Sequence, residues 1–566
     1  MKKVIFIISF ILSLIVLELL SMYAIERFNQ INNPIKSLSA YNNEYDRDVS
    51  LSQIRYNVNI TQKVHNFIKN DMNAMFDDEN NRGFIDTLYT QNNYKLFWFD
   101  WHGIERDKVF NFLDKVQSDP TLDEKSKLYT DLMLLRKEAG AFSIADSMNK
   151  QMDFDVRLNA FFKDYMNYVF YGSIDWQNFE DKLVALRASE VAAYWVTYTP
   201  KYDIAKLILN HKAEKIIESA TPISFGYREM IAHIAKLKKV KASGGYVKIT
   251  ASSSDATLKD RLMASDDYKC EDMSILSNYC LKSSIGRFQK RYGLIESGKL
   301  NESTIEKLNT PIDTQIEKLV LNANRIKRIV DVNSSSYFFV NIPDFTLKFI
   351  ENKKVTMGMN VVVGDNSHRT PVFSSDMSTI VLNPDWSVPV NIANKEFLPK
   401  LASNPNYLKN IKYELKYKGR SVNSSSVNWK ALKASGKMNG YKIVQPPSDK
   451  NALGKIKFLF PNHFAVYMHD TPAKGKFLER RRNFSHGCVR LAQPEELLKK
   501  VVAVDGGISE ARAFKILASD QKSHIALKHK IPVHIVYLTA WVDTNGYVNY
   551  RDDIYGYDTL QQKKTK

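Results

Sequence analysis

The residues of this 566-residue chain whose types and spacing could do chemistry lie in two short runs in its last fifth. One is Tyr467-Met468-His469-Asp470-Thr471-Pro472 and the other Ser485-His486-Gly487-Cys488-Val489-Arg490. A free thiol ionises near pH 8.5, so little of it is thiolate at neutral pH. An imidazole beside it accepts the thiol proton and later returns one to a leaving amine. These residue types are the equipment of nucleophilic acyl transfer, with Cys488 as the nucleophile and His469 or His486 as the base. A strand predicted over 464–468 would hold His469 rigidly at its end. Gly487 lets backbone and substrate approach closely. The run 491–498 reads as a helix, whose positive end would favour a thiolate and an oxyanion nearby.

Two further cysteines, Cys270 and Cys280, could pair in an oxidising compartment and leave Cys488 as the odd thiol. Compartment is addressed by the first residues. Lys2 and Lys3 precede an apolar run over 4–23, long enough to span a bilayer, with Glu18 inside it. No clear cleavage site follows it, so the expectation is an inner-membrane anchor with everything after Arg27 exported; a cleaved signal peptide is the alternative. The net charge of +18 suits an anionic polymer, an anionic membrane or nucleic acid. No nucleic-acid module is recognisable, and export argues against that partner.

The elements that must position the two runs follow from the periodicity. The length exceeds what one core can use, and 44% hydrophobic with 12% aromatic residues argues for folded domains. Residues 26–245 read as helical: Leu158, Phe161, Phe162, Tyr165, Met166 and Val169 fall on one helical face, ended by Gly172. A second helix is predicted over 227–239. After a linker-like patch, 246–312 reads as three short helices. Asp255 is placed to cap the first, Gly293 to stop the second, and Asn301 or Ser303 to cap the third. From Tyr337 the period becomes two, and Val355, Met357, Met359, Val361 and Val363 alternate. Between 391 and 452 the pattern is lost in Lys-rich, Ser-rich and Pro-Pro segments, which read as a lid with no sizeable apolar set of its own. The end of the chain reads as a polar tail.

The run Ser485-His486-Gly487-Cys488-Val489-Arg490, with a histidine nineteen positions before the cysteine, resembles the signature of the L,D-transpeptidases of the YkuD type. The resemblance extends over Val340-Asn341-Ile342-Pro343, Val362-Val363-Gly364, 370–375 and Leu382-Asn383-Pro384-Asp385-Trp386. Residues 285–294, with Gly298 and 304–309, resemble the three-helix peptidoglycan-binding module. The chain is thus similar to the large, scaffold-bearing class of these enzymes. The organisation implied is α+β and multidomain. An anchor (1–25) precedes a helical scaffold (26–245), a peptidoglycan-binding-like module (246–312) and a connecting helix (313–335). A mostly-β catalytic domain (336–545), with a capping insertion (391–452), and a tail (546–566) complete it.

By position, the resemblance implies Cys488 as nucleophile and His469, ahead of His486, as general acid/base. Gly487 and Cys488 would give oxyanion N–H groups, with Ser485 in support. The carbonyl of Asp470 would orient the imidazole; its carboxylate faces the other way if 469–470 is extended. Arg490 would grip a substrate carboxylate, and Tyr467 and Trp386 would touch substrate. The reaction implied is a 3→3 cross-link between peptidoglycan stem peptides through a thioester, without metal or cofactor. Water in place of the amine would make an L,D-carboxypeptidase or another cysteine hydrolase, and a non-catalytic wall-binding protein is a further rival. Stem peptides are the partners implied, with glycan contact through 246–312 and membrane contact through the N-terminal segment.

Overall fold

The computed structural model describes residues 60–562, apart from 71–74, 77, 144, 200, 211, 271–276, 330–333, 437 and 439. The segment over 4–23 lies outside the described residues; among these, no helix is long and apolar enough to cross a membrane.

The chain forms two compact units, Met1–Met166 with Tyr202–Ile216, and Asn167–Lys201 with Ile217–Lys566. In the first, helices Glu79–Gln91, Arg106–Gln117 and Lys127–Ala141 precede the long helix Met148–Tyr171, whose residues from Asn167 on group with the second. The face expected from spacing is buried from Leu158 to Val169. The carboxylate of the fully buried Asp155 accepts from the Phe97 and Trp98 N–H groups at 3.0 and 2.8 Å and from the Tyr89 hydroxyl, so strong backbone donors offset part of its burial.

Residues 167–201 and 217–245 group with the second unit. Helicity is a local property, whereas the surface that covers a helix is not. The helix Tyr227–Ala242 packs Met230, Ile234 and Leu237 in one cluster with the three short helices, the helix Ile312–Ile326 and residues 536–550. The three short helices, Asp255–Ala264, Ser277–Arg291 and Glu302–Leu308, therefore share their core with neighbours. Ser254, not Asp255, caps the first by accepting from the Thr257 N–H, and Asn301 caps the third. Cys270 and Cys280 are disulfide-bonded.

The second unit is built on a nine-stranded sheet. Its strands open with β1 (Ser336–Asn341), β2 (Thr346–Glu351), β3 (Lys354–Gly364) and β4 (Phe373–Leu382). An insertion then contributes β5 (Trp386–Ser387), β6 (Glu414–Tyr417), β7 (Arg420–Val422) and β8 (Tyr441–Gln445). The main sheet resumes with β9 (Ile456–Leu459), β10 (Met468–His469), β11 (Asn483–Ser485), β12 (Val489–Leu491) and β13 (Ser523–Val536). The order is β11-β3-β12-β10-β9-β4-β13-β1-β2, and β2 also pairs with β3, so the sheet closes on itself. Val361, Val363, Ile380, Phe458, Met468, Val489 and Ile535 fill one cluster, closed by the helix Pro494–Asp505 through Leu497, Leu498 and Val501.

Three sequence expectations are corrected here. The insertion is not an apolar-poor lid. Its sheet β5-β8-β6-β7 encloses Leu398, Leu401, Leu408, Leu415, Trp429 and Ile443, a core of its own. Short strands and turns broke the periodicity too often for it to register. The segment 546–562 is not a detached tail, since Tyr550, Ile554, Tyr555, Tyr557 and Gln561 are buried, and 563–566, where fraying is expected, lies outside the described residues. The strand expected over 464–468 is confined to β10, because the Asn462 side chain bonds the Phe464 and Val466 N–H groups and the Val466 carbonyl, and Ala465 has φ +55°.

Candidate active site

Three neighbouring strands place the chemistry. β12 runs parallel to β10 in the register Met468–Val489 and His469–Arg490, and β9 runs antiparallel to β10 with Lys457 opposite His469. Paired residues share a face, and so do residues two apart. Lys457, His469 and Arg490 therefore form one cross-strand row, and Tyr467 and Cys488 the next, all on the same face. The rings of Tyr467 and His469 are 5.5 Å apart, and Lys457 Nζ lies 3.7 Å from the Tyr467 ring centre.

His469 is 4% exposed. Its Nδ1 lies 2.5 Å from the Asp470 carbonyl, which fixes Nδ1–H as the donor and leaves Nε2 as the free base. The Asp470 carboxylate points elsewhere, accepting from Thr471 N–H at 2.6 Å, Lys455 N–H at 2.9 Å and Lys474 Nζ at 2.6 Å. Burial, then the positive charge of Arg490, pushes the His469 imidazole down to about 3. Burial raises the Cys488 thiol, against the opposing pull of Tyr467, Lys457 and Arg490. Burial thus disfavours the charged form of each group, and these surroundings favour a thiol beside a neutral imidazole.

The turn carrying Cys488 is held from below. Ser485 Oγ donates to the Cys488 carbonyl at 2.6 Å and accepts from the Gly487 N–H at 3.1 Å. That bond occupies the Gly487 N–H expected for the oxyanion. Gly487 has φ +104°, a conformation that disfavours side chains. The helix expected to begin near the thiol starts only at Pro494; β12 intervenes, so no helix end lies at Cys488. His486 is half-exposed, with Nε2 3.7 Å from Glu396 of the insertion and its ring 4.6 Å from that of His368. Trp386 belongs to β5 and packs against the insertion's own core. Among the described residues, no cluster of three or more His, Cys, Asp or Glu could hold a metal.

Residues 335–516 match the family model of the L,D-transpeptidase (YkuD) catalytic domain, and residues 84–233 match that of a Scaffold domain. Over residues 335–516 the chain is therefore similar to L,D-transpeptidase catalytic domains. A Haemophilus influenzae (strain Rd) protein proposed to be an L,D-transpeptidase is 35% identical over 265 residues, covering 46% of this chain and 53% of that protein. The match thus spans about half the length of that curated relative. Solved structures of L,D-transpeptidases from Mycobacterium smegmatis and Mycobacterium tuberculosis are 12% and 14% identical. They cover 36% of this chain and 60% and 61% of theirs, with TM-scores of 0.17 and 0.14, too low to carry a structural argument.

Two residues support the nucleophile turn from a distance: Thr370, which lies in a segment that carried the resemblance but was given no role, and Tyr555, which had no signal in the sequence. Thr370, fully buried, donates from Oγ1 to the Gly487 carbonyl at 2.8 Å and accepts the Gly364 N–H at 2.8 Å. The Tyr555 hydroxyl accepts from the Thr370 N–H at 3.2 Å and donates to the Gly364 carbonyl at 2.6 Å. Thr370 and Tyr555 are 185 residues apart, and only closure of the barrel joins them.

Proposed function

We propose that this protein is a peptidoglycan L,D-transpeptidase that joins stem peptides by 3→3 cross-links through a thioester on Cys488. The observation that carries the reading is the shared face of Cys488, just before β12, and His469 on the parallel β10, with His469 Nδ1 held by the Asp470 carbonyl. Cys488 Sγ attacks the carbonyl that follows the L-centre of the donor's diamino acid while Nε2 of His469 takes the thiol proton. That proton passes to the departing amine of the terminal D-residue, and the thioester remains. The amine of a second stem peptide then attacks, loses its proton to His469, and releases the thiol. The Cys488 N–H lies at the turn beside the sulfur and would serve the oxyanion.

The Cys270–Cys280 disulfide supports an oxidising, extracytoplasmic location, and residues 4–23 would provide the anchor. A cavity of about 410 Å³ lined by Lys241, Tyr246, Lys248, Asn309 and Thr310 is where glycan contact would occur.

The test is intact-protein mass spectrometry of the wild type and Cys488→Ala with a stem tetrapeptide, followed by addition of an acceptor amine. An adduct lacking the terminal D-residue, present only with Cys488 and resolved into a peptide dimer, is expected. An adduct resolved only by water would make the protein an L,D-carboxypeptidase. Absence of any adduct would refute the reading.

A further inference from the structure

Lys457 and Arg490 stand on either side of His469 in one cross-strand row, and neither has an ion-pair partner among the described residues. Both are partly buried, and Arg490 Nε is enclosed without a hydrogen-bond acceptor. Burial lowers the pKa of each cation, and the pull of the Cys488 sulfur opposes that in both. Of the acidic groups nearby, Asp385 is engaged by Lys522 at 2.5 Å, and Asp470 by Lys474. Two partly desolvated cations without counter-ions are costly unless a ligand supplies the charge. Two strand intervals separate them, about 10 Å between β-carbons, with the imidazole in the middle.

We propose that Lys457 is a specificity-determining residue which, with Arg490, binds two carboxylates of the donor stem peptide, one on each side of the scissile carbonyl. One is the terminal carboxylate of the departing D-residue. The other is a free carboxylate on the side chain of the diamino acid. The donor preferred is therefore a diamino diacid peptide, in which that carboxylate is neither amidated nor missing. Tyr467 positions the ammonium: its ring face, 3.7 Å from Nζ, holds the cation over the site while leaving its N–H donors free. This inference rests on the function proposed above.

The experiment uses the full chain and two donor tetrapeptides that differ only in whether the diamino acid's side-chain carboxylate is free or a carboxamide. Acylation of Cys488 is followed by mass spectrometry and terminal D-residue release by rate, with KM and kcat separated. The wild type should favour the free acid by about tenfold or more in kcat/KM, mostly through KM. Lys457→Met should reduce that preference to within about twofold by losing affinity for the free acid alone, and Lys457→Arg should restore most of it. A wild type indifferent to amidation overturns the inference, as does a Lys457→Met variant that loses both donors equally while Lys457→Arg behaves like wild type. In these cases the Cys488 adduct still forms in the wild type, so the transpeptidase reading survives. Failure to form it with either donor removes both.

Discussion

Replacing Thr370 by valine keeps the shape of a fully buried side chain and deletes one oxygen. That oxygen joins the Gly487 carbonyl of the nucleophile turn to the Gly364 N–H at the end of β3. Each buried backbone group left without a partner costs about 1–3 kcal/mol, so the two together cost about 2–6 kcal/mol. The effect on chemistry is separate. With Thr370 Oγ1 gone, the turn keeps only its internal Ser485 braces, and a shift of about 1 Å at an attacking atom costs about a hundredfold. Urea unfolding should give the stability loss, and iodoacetamide alkylation of Cys488, with donor acylation in parallel, should give the positional loss. Thr370→Val should slow acylation by about ten- to a hundredfold, whereas Thr370→Ser, which keeps the hydroxyl, should stay within about threefold. If Thr370→Val loses stability but acylates at the wild-type rate, the hydroxyl holds the barrel and does not position the nucleophile.

His469→Ala should lower the acylation rate by about a hundredfold or more, and His486→Ala by much less; the reverse order, read from the same mass-spectrometric time course, would reassign the base. Replacing 391–452 by a short linker should remove one cooperative unit, since that segment has its own core, while leaving Cys488 alkylation intact; loss of cross-linking with thioester hydrolysis retained would mark it as excluding water. Acid should destabilise the fold: His469, His233 and His534 are held down to about 3, 4 and 4 by burial, so each binds a proton on unfolding below about pH 6.5. Stability should fall from about pH 6.5 toward 4, offset in part by Asp155, whose carboxyl is pushed up to about 6 by burial and gains stability as it protonates. Denaturant midpoints across that range check the sign.

The sequence by itself determined much of what depends on short-range pattern, though not the Ser254 cap or the extent of β10. The apolar face of the long helix, the turn at Gly293, the Asn301 cap, the alternation in β3 and the two catalytic runs follow from neighbours a few residues apart. The Asp470 carbonyl as partner of His469 Nδ1 was implied by the resemblance, and strand alternation agreed by turning the Asp470 carboxylate away. Tertiary structure alone decided which distant residues serve the site. Lys457 comes to flank His469 only because β9 pairs with β10, and Tyr555 reaches Gly364 only because the last residues return to the barrel. The insertion's core and the shared core of the three short helices escaped for a related reason: periodicity tells that a face is buried, not against what. The position of a helix start after Cys488 was misread because 491–498 begins in a strand, and the pairing of β12 with β3 and β10, a long-range interaction, overrides local helical preference there.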